Sequence, residues 1–238
     1  MTAQTGNTVP MRIIAHIRTD FPEKFGVPRQ SGVVETLRGK IVFEPEFRNA
    51  DALRGIDGFS HLWLLWQFSE NPQKSWSPTV RPPKLGGNRR MGVFATRSPF
   101  RPNPLGLSCV RLEKVDLHTP NGPILVVTGA DMTDNTPIFD IKPYVPYADA
   151  HPKARGGFAV PPAEVHLQVD FPQALLEKLP EEKRETLINV LAQDPRPGYR
   201  QEDVRVYGFP FAGFEIRFTV YGKTLTVCAV EKMANSGL

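Results

Sequence analysis

The residues best able to do chemistry fall in three short segments rich in proline, arginine and carboxylates. Asp131-Met132-Thr133-Asp134-Asn135-Thr136-Pro137 follows an apolar run and carries two carboxylates. Asp and Asn commonly form turns through their own backbone. The same groups accept hydrogen bonds from ribose hydroxyls or an adenine amino group, and the sequence leaves both roles open. Asp140-Ile141-Lys142-Pro143-Tyr144 follows at once, adding an ion pair and a phenol. The second segment is Arg97-Ser98-Pro99-Phe100-Arg101-Pro102-Asn103-Pro104-Leu105-Gly106. Its prolines fix φ and restrict the residues before them. Such a loop is rigid, and suits either preorganised ligand contacts or a stiff barrel corner. The third is Gln193-Asp194-Pro195-Arg196-Pro197-Gly198-Tyr199-Arg200, directly after a helical pattern. It reads as a site or as a helix stop.

Standard catalytic signatures are absent from the sequence. No Gly-x-Gly-x-x-Gly follows a strand, so neither a dinucleotide site nor the loop of doubly wound methyltransferases is present, and there is no Walker loop. The five histidines never fall at metal-ligand spacing, and no metal site is expected. No serine sits in a nucleophile elbow. Cys109 and Cys228 lie far apart, with no Cys-x-x-Cys pair, which predicts free thiols.

The 238 residues, 40% hydrophobic and 23% charged, have an ordinary globular composition. The 24 prolines punctuate the chain instead of forming one tract, and so predict ordered, stiff loops. The net charge of +4 is a mild excess compatible with nucleic acid. Its placement is more telling: Arg81, Lys84, Arg89, Arg90, Arg97 and Arg101 occur between 81 and 101 with no acidic residue among them. That run is either a solvated face or a phosphate-binding one. The N-terminus has no signal-like apolar region, and no apolar run approaches the ~20 residues of a membrane span. A cytoplasmic protein is expected.

The elements that must position these groups are mostly strands. Met11–Arg18 reads as a first strand. Val33–Thr36 and Lys40–Glu44 read as a hairpin around Leu37-Arg38-Gly39. Asn49–Arg54 reads as a helical turn or two, and His61–Phe68 as a fully buried strand. Met91–Thr96, Leu107–Val115 and Ile124–Ala130 continue the β pattern, the last two flanking the turn Thr119-Pro120-Asn121-Gly122. Many short strands with Gly/Pro punctuation predict a mainly β barrel or sandwich. Residues 149–163 read as a linker. Helices are expected over Pro172–Leu179 and Glu181–Ala192, then a hairpin of Phe214–Val220 and Thr224–Val230 about Tyr221-Gly222. The expected organisation is a β domain over 10–148 and a small α+β domain over 164–238.

Several of these stretches resemble one family. Phe94-Ala95-Thr96-Arg97-Ser98-Pro99-Phe100-Arg101-Pro102-Asn103-Pro104-Leu105-Gly106-Leu107-Ser108 resembles the signature of the TsaA-like family. So do Phe59-Ser60-His61-Leu62-Trp63-Leu64-Leu65, Arg81-Pro82-Pro83-Lys84-Leu85-Gly86-Gly87, and Thr136-Pro137 with Asp140-Ile141-Lys142-Pro143-Tyr144. The segment from Gln193 to Arg200 resembles the tail of the bacterial TrmO (YaeB) branch. The resemblance implies a small S-adenosylmethionine-binding β-barrel, usually a homodimer, that methylates N6 of threonylcarbamoyladenosine beside the anticodon of tRNA. It implies cofactor contacts from Ser31, Gly32 and Val33, from Phe68 and Ser69, from Arg97 and Leu107, and from Asp134, Asn135, Thr136, Pro137 and Ile138. Relatives often carry histidine where this chain has Ser69, so a side-chain contact there is lost whereas a backbone contact survives.

For that reaction the methyl group must meet nitrogen in line at about 3–3.5 Å. N6 in a urea-like group is delocalised and protonated, so a base or a donor polarising the carbonyl helps. The candidates are Asp194 and Arg196, with Tyr199 stacking or hydrogen bonding. Arg81, Lys84, Arg89, Arg90 and Arg101 would then contact tRNA phosphates or the threonyl carboxylate. Two rival functions are a methyltransferase of the same fold with another acceptor, and a non-catalytic RNA-binding or cofactor-sensing module.

Overall fold

A computed structural model describes residues 8–70, 76–82, 85, 89–159, 166–196 and 205–234. Inward and outward side chains alternate along the first strands, as a barrel wall requires. In β1 (Ala15–Arg18), Ala15 and Ile17 are fully buried; in β2 (Arg38–Phe43), Ile41 and Phe43 are buried. β3 (His61–Gln67) buries Leu62, Leu64 and Trp66. β6 (Leu105–Asp116), β7 (Ile124–Thr128) and β8 (Thr136–Pro143) complete a closed barrel of order β1-β2-β7-β6-β3-β8. The short β4 (Thr79–Val80) and β5 (Met91–Gly92) pair separately. Closure removes the exposed edges that an open sheet would present.

A second core follows. After α1 (Pro146–Asp149) come β9 (Gln168–Asp170), α2 (Gln173–Leu176) and α3 (Glu181–Ala192). β10 (Tyr207–Phe211), β11 (Phe214–Tyr221) and β12 (Thr224–Lys232) form a sheet of order β10-β11-β12-β9, with β9 parallel to β12. α3 turns Leu187, Val190 and Leu191 onto it, as their spacing predicts.

The two cores are stitched together by residues 20–37. Phe21, Val34 and Leu37 are buried among the residues of the second core, with the Phe21 and Phe211 rings edge to face at 5.2 Å. Lys183 Nζ donates to both oxygens of Asp20 at 2.8 and 2.6 Å, and Thr186 Oγ1 donates to the Thr36 carbonyl at 3.1 Å.

Several elements differ from the sequence expectation. Val33–Thr36 is not a strand. Gly32, at φ +76°, turns the chain while its N–H donates to Gly129 O at 2.9 Å. Val34 is then drawn into the second core, and β2 pairs instead with β1 and β7. β1 is confined to four residues, and only Met91–Gly92 of the 91–96 run is a strand, a short 3-10 turn taking Val93–Ala95. β3 is not buried on both faces: its outward residues, including Trp63 and Leu65, are half-buried. β8, β9 and β10 were unexpected. β8 begins inside what reads locally as an Asx-rich turn, and only pairing with β1 and β3 makes it a strand.

Candidate active site

One end of the barrel opens into a cavity of about 1090 Å3. Its walls come from the end of β3, the starts of β6 and β8, the segment after β7, the 97–103 loop, residues 24–30, and Pro195 and Arg196 of the second core. A space of this size holds a nucleoside-sized ligand with room to spare.

A hydrogen-bonded relay links two lining residues, Trp66 and Asp131, through Ser108 behind the wall. Trp66 Nε1 donates to Ser108 Oγ at 2.9 Å, and Ser108 Oγ donates to Asp131 Oδ1 at 2.5 Å. Ser108 occupies an inward position of β6 and is 1% exposed. The Trp66 ring fits because residue 106 is glycine: a Cβ there would lie 2.2 Å from Trp66 Cε2. Burial pushes the Asp131 carboxyl above its ordinary pKa. Hydrogen bonds from Ser108, from its own backbone and from the Ser31 N–H oppose that shift, as does the nearby Arg97 charge. Arg97 lines the cavity and is held by a hydrogen bond from Nη1 to Gln30 Oε1.

Residues 24–30 reach the cavity because the second core holds them. Gly26, at φ +92°, packs so closely on Phe209 that a Cβ would fall 2.6 Å from the ring. Arg29 Nη2 donates to the Arg196 carbonyl at 3.0 Å.

The expected catalytic trio divides. Arg196 lines the cavity and is 7% exposed. Asp194 does not line it; its carboxylate grips Arg196 bidentately, Nε to Oδ1 at 2.8 Å and Nη2 to Oδ2 at 2.9 Å. At φ +52°, Asp194 turns the chain out of α3 to make this fork. Set behind the cavity wall and forked onto Arg196, it is suited to positioning that guanidinium. Tyr199 lies outside the described residues.

The expected cofactor residues are spread similarly. Phe68, Ser69, Arg97, Leu107 and Thr136 line the cavity. Ser31, Gly32 and Val33 do not, although the Ser31 N–H reaches Asp131. Asp134 fastens the turn to β1, accepting from Thr19 N at 2.9 Å and Arg18 Nη1 at 3.2 Å. Asn135 takes a left-handed φ of +61°, Pro137 pairs with His16, and Ile138 fills the barrel core. Among the expected RNA-binding residues, Arg81, Arg89 and Arg90 are exposed, and Lys84 lies outside the described residues. Arg101 is spent partly on its own loop, donating to the Thr96 carbonyl at 3.1 Å.

Trp66, Gly106, Ser108, Phe25, Arg29 and Gln30 escaped the sequence reading as site residues. Ser108 had a signal, since it is a polar side chain at an inward position of an alternating strand. The 24–30 segment had none, because only distant partners place it. Among the described residues no metal-binding cluster is present, and no helix is long and apolar enough to cross a membrane.

A closed barrel whose end cavity joins a half-buried carboxylate, arginines and aromatic rings, completed by a second core, defines a barrel-type protein with a ligand-sized end cavity, unlike the doubly wound α/β class. The chain belongs to the TrmO family: the tRNA-methyltransferase O N-terminal domain matches residues 16–150, and the TrmO C-terminal domain matches residues 164–233. It is 44% identical over 227 residues to the tRNA (adenine(37)-N6)-methyltransferase of Escherichia coli K12, covering 92% of this chain and 96% of the relative. An enzyme of the same description from Eikenella corrodens is 48% identical over 164 residues, covering 68% of this chain and 91% of its own. The crystal structure of TrmO from Pseudomonas aeruginosa superposes with a TM-score of 0.75 at 33% identity, covering 96% of this chain and 99% of that one.

Proposed function

We propose that this protein transfers a methyl group from S-adenosylmethionine to N6 of adenosine 37 in tRNA, with threonylcarbamoyladenosine as the acceptor base. The observation that carries this reading is the 44% identity to the Escherichia coli enzyme along nearly the whole length of both chains. The cavity suits it chemically. Bound S-adenosylmethionine supplies an activated methyl group on a sulfonium. Phe68, Leu107 and Trp66 offer apolar surface for a nucleoside, the Ser69 carbonyl offers a hydrogen-bond acceptor, and Arg97 is placed for a carboxylate. Arg196, fixed by Asp194, would orient the acceptor and polarise its carbonyl. The remaining work of the chain is alignment and exclusion of water.

The exposed Arg81, Arg89 and Arg90 are placed to meet tRNA phosphates. An Arg89→Glu/Arg90→Glu variant should bind tRNA at least about tenfold more weakly near physiological salt, with a shallower salt dependence. Equal binding, measured by filter retention across a salt series, would remove these residues from the interface.

A homodimer working in the cytoplasm completes the reading. Its support is the family resemblance and an apolar pair at the cavity, where Phe94, itself a lining residue, is 73% exposed and stacks with the 51% exposed Trp76 at 6.4 Å. Phe94→Asp should yield folded monomer by light scattering. A dimer of unchanged mass would place the interface elsewhere.

The first experiment is methyl transfer to tRNA carrying threonylcarbamoyladenosine, with unmodified tRNA as control, read by nucleoside mass spectrometry. A methylated nucleoside in the modified tRNA alone supports reaction and acceptor together. Cofactor binding without product would move the acceptor elsewhere.

A further inference from the structure

Methylating a urea-like nitrogen leaves a proton to be removed, and neither Arg196 nor Asp194 removes it. Asp194 does not line the cavity, and its carboxylate is forked onto Arg196. No histidine is among the described residues that line the cavity. Among the described residues the carboxylates that line it are Glu70, which is exposed, and Asp131. Asp131 is half-buried, aimed by Ser108 at 2.5 Å, and Ser108 is itself held by Trp66 at 2.9 Å.

We propose that Asp131 is the catalytic residue that accepts the N6 proton, with Ser108 and Trp66 as positioning residues. The proposal rests on the methyltransferase reading above. The step balances without an added reagent. The N6–H proton passes to the Asp131 carboxylate as the N6–CH3 bond forms, and the CH3–sulfur bond breaks with its electron pair left on sulfur as a neutral thioether.

The surroundings suit that task. A carboxylate has roughly four acceptor positions, and donors from Ser108, Ser31 and its own backbone leave capacity for one more. Burial raises its basicity above that of a surface aspartate, toward the range where a base works best near neutral pH. β3 and β6 face it with Trp66 and Ser108, which do not titrate in that range. Arg97 is the charge that acts on it directly; the other charged groups of the cavity wall are Arg101 from the 97–103 loop, Lys24 and Arg29 from the 24–30 segment, Arg196 from the second core and the exposed Glu70, and Asp134 lies three residues along the chain. The Arg97 charge opposes the upward shift that burial causes.

The sign of the Ser108 effect is definite. Its hydrogen bond favours the charged carboxylate, so Ser108→Ala should raise the Asp131 pKa further and move the acidic limb of the rate profile to higher pH.

The test has two arms. In cofactor-free protein, carboxyl-carbon NMR should show one aspartate titrating above the ordinary range. Its signal should be absent in Asp131→Asn and moved upward in Ser108→Ala. In single-turnover methyl transfer, Asp131→Asn should lose about 10²–10⁴ in rate while cofactor affinity by calorimetry stays within about threefold, less than 1 kcal/mol. An Asn variant with the parent's rate, a parallel loss of cofactor binding, or the absence of any raised aspartate would overturn the assignment. A parent protein that methylates no tRNA would instead bring down the methyltransferase reading, and this step with it.

Discussion

Replacing Gly106 by alanine is expected to destabilise the protein by about 3–5 kcal/mol, combining overpacking with a lost buried hydrogen bond. The new Cβ would lie 2.2, 2.4 and 2.6 Å from Trp66 Cε2, Cζ2 and Cδ2. Those are ring atoms, and the ring has little freedom. It is 7% exposed, its Nε1 is tied to Ser108, and it meets Phe68 edge to face at 4.4 Å. Trp66 and Gly106 are also register partners in the β3–β6 ladder, so the strands cannot part locally to make room. Urea unfolding should show a lower midpoint with an unchanged slope. Shrinking Trp66 to leucine in the same chain should recover part of the loss, because the two side chains compete for one space. A midpoint within error of the parent's would mean that β6 can slide, and the relay to Asp131 would not be rigid.

Arg196→Ala is expected to lower kcat/KM for methyl transfer by about 100-fold or more, the usual loss when one preorganised donor to a developing charge is removed. The guanidinium is almost wholly buried, forked onto Asp194, and part of the cavity wall. Such a group is set before the substrate arrives, and its charge does not depend on pH. Most of the loss should appear in kcat, with cofactor affinity nearly unchanged. Arg196→Lys should rescue little, since an ammonium cannot reproduce the bidentate geometry. Asp194→Ala should imitate the defect and also destabilise the fold by roughly 2–3 kcal/mol, somewhat less than for a fully buried pair. An Arg196→Ala enzyme with the parent's kcat would confine this residue to a structural role between the cores.

Local physics makes much of this legible in the chain itself. Dense apolar runs over 61–67 and 124–128 mark strands, although the alternation of burial along 61–67 is visible only in the fold, and the 181–192 stretch carries its own helical spacing and a proline before it. The proline loop from Arg97 to Pro104 is stiff because ring closure fixes φ at each proline. The quoted motifs pointed to the family, a mainly β barrel and the methyltransferase chemistry. What the sequence could not decide is which distant atom each polar group would meet. Ser108 and Asp131 are 23 residues apart, and Arg29 and Arg196 are 167 apart. Val33 and Val34 have strong strand propensity, yet Val34 is buried in the second core and the segment is a turn. Asp194 reads as a free carboxylate until its left-handed φ folds it back onto Arg196. Periodicity and backbone restriction act over a few residues and are written in the chain. Barrel closure, the docking of residues 20–37 on the second core and the partner of each buried charge depend on contacts between distant segments, which exist only once both cores have packed.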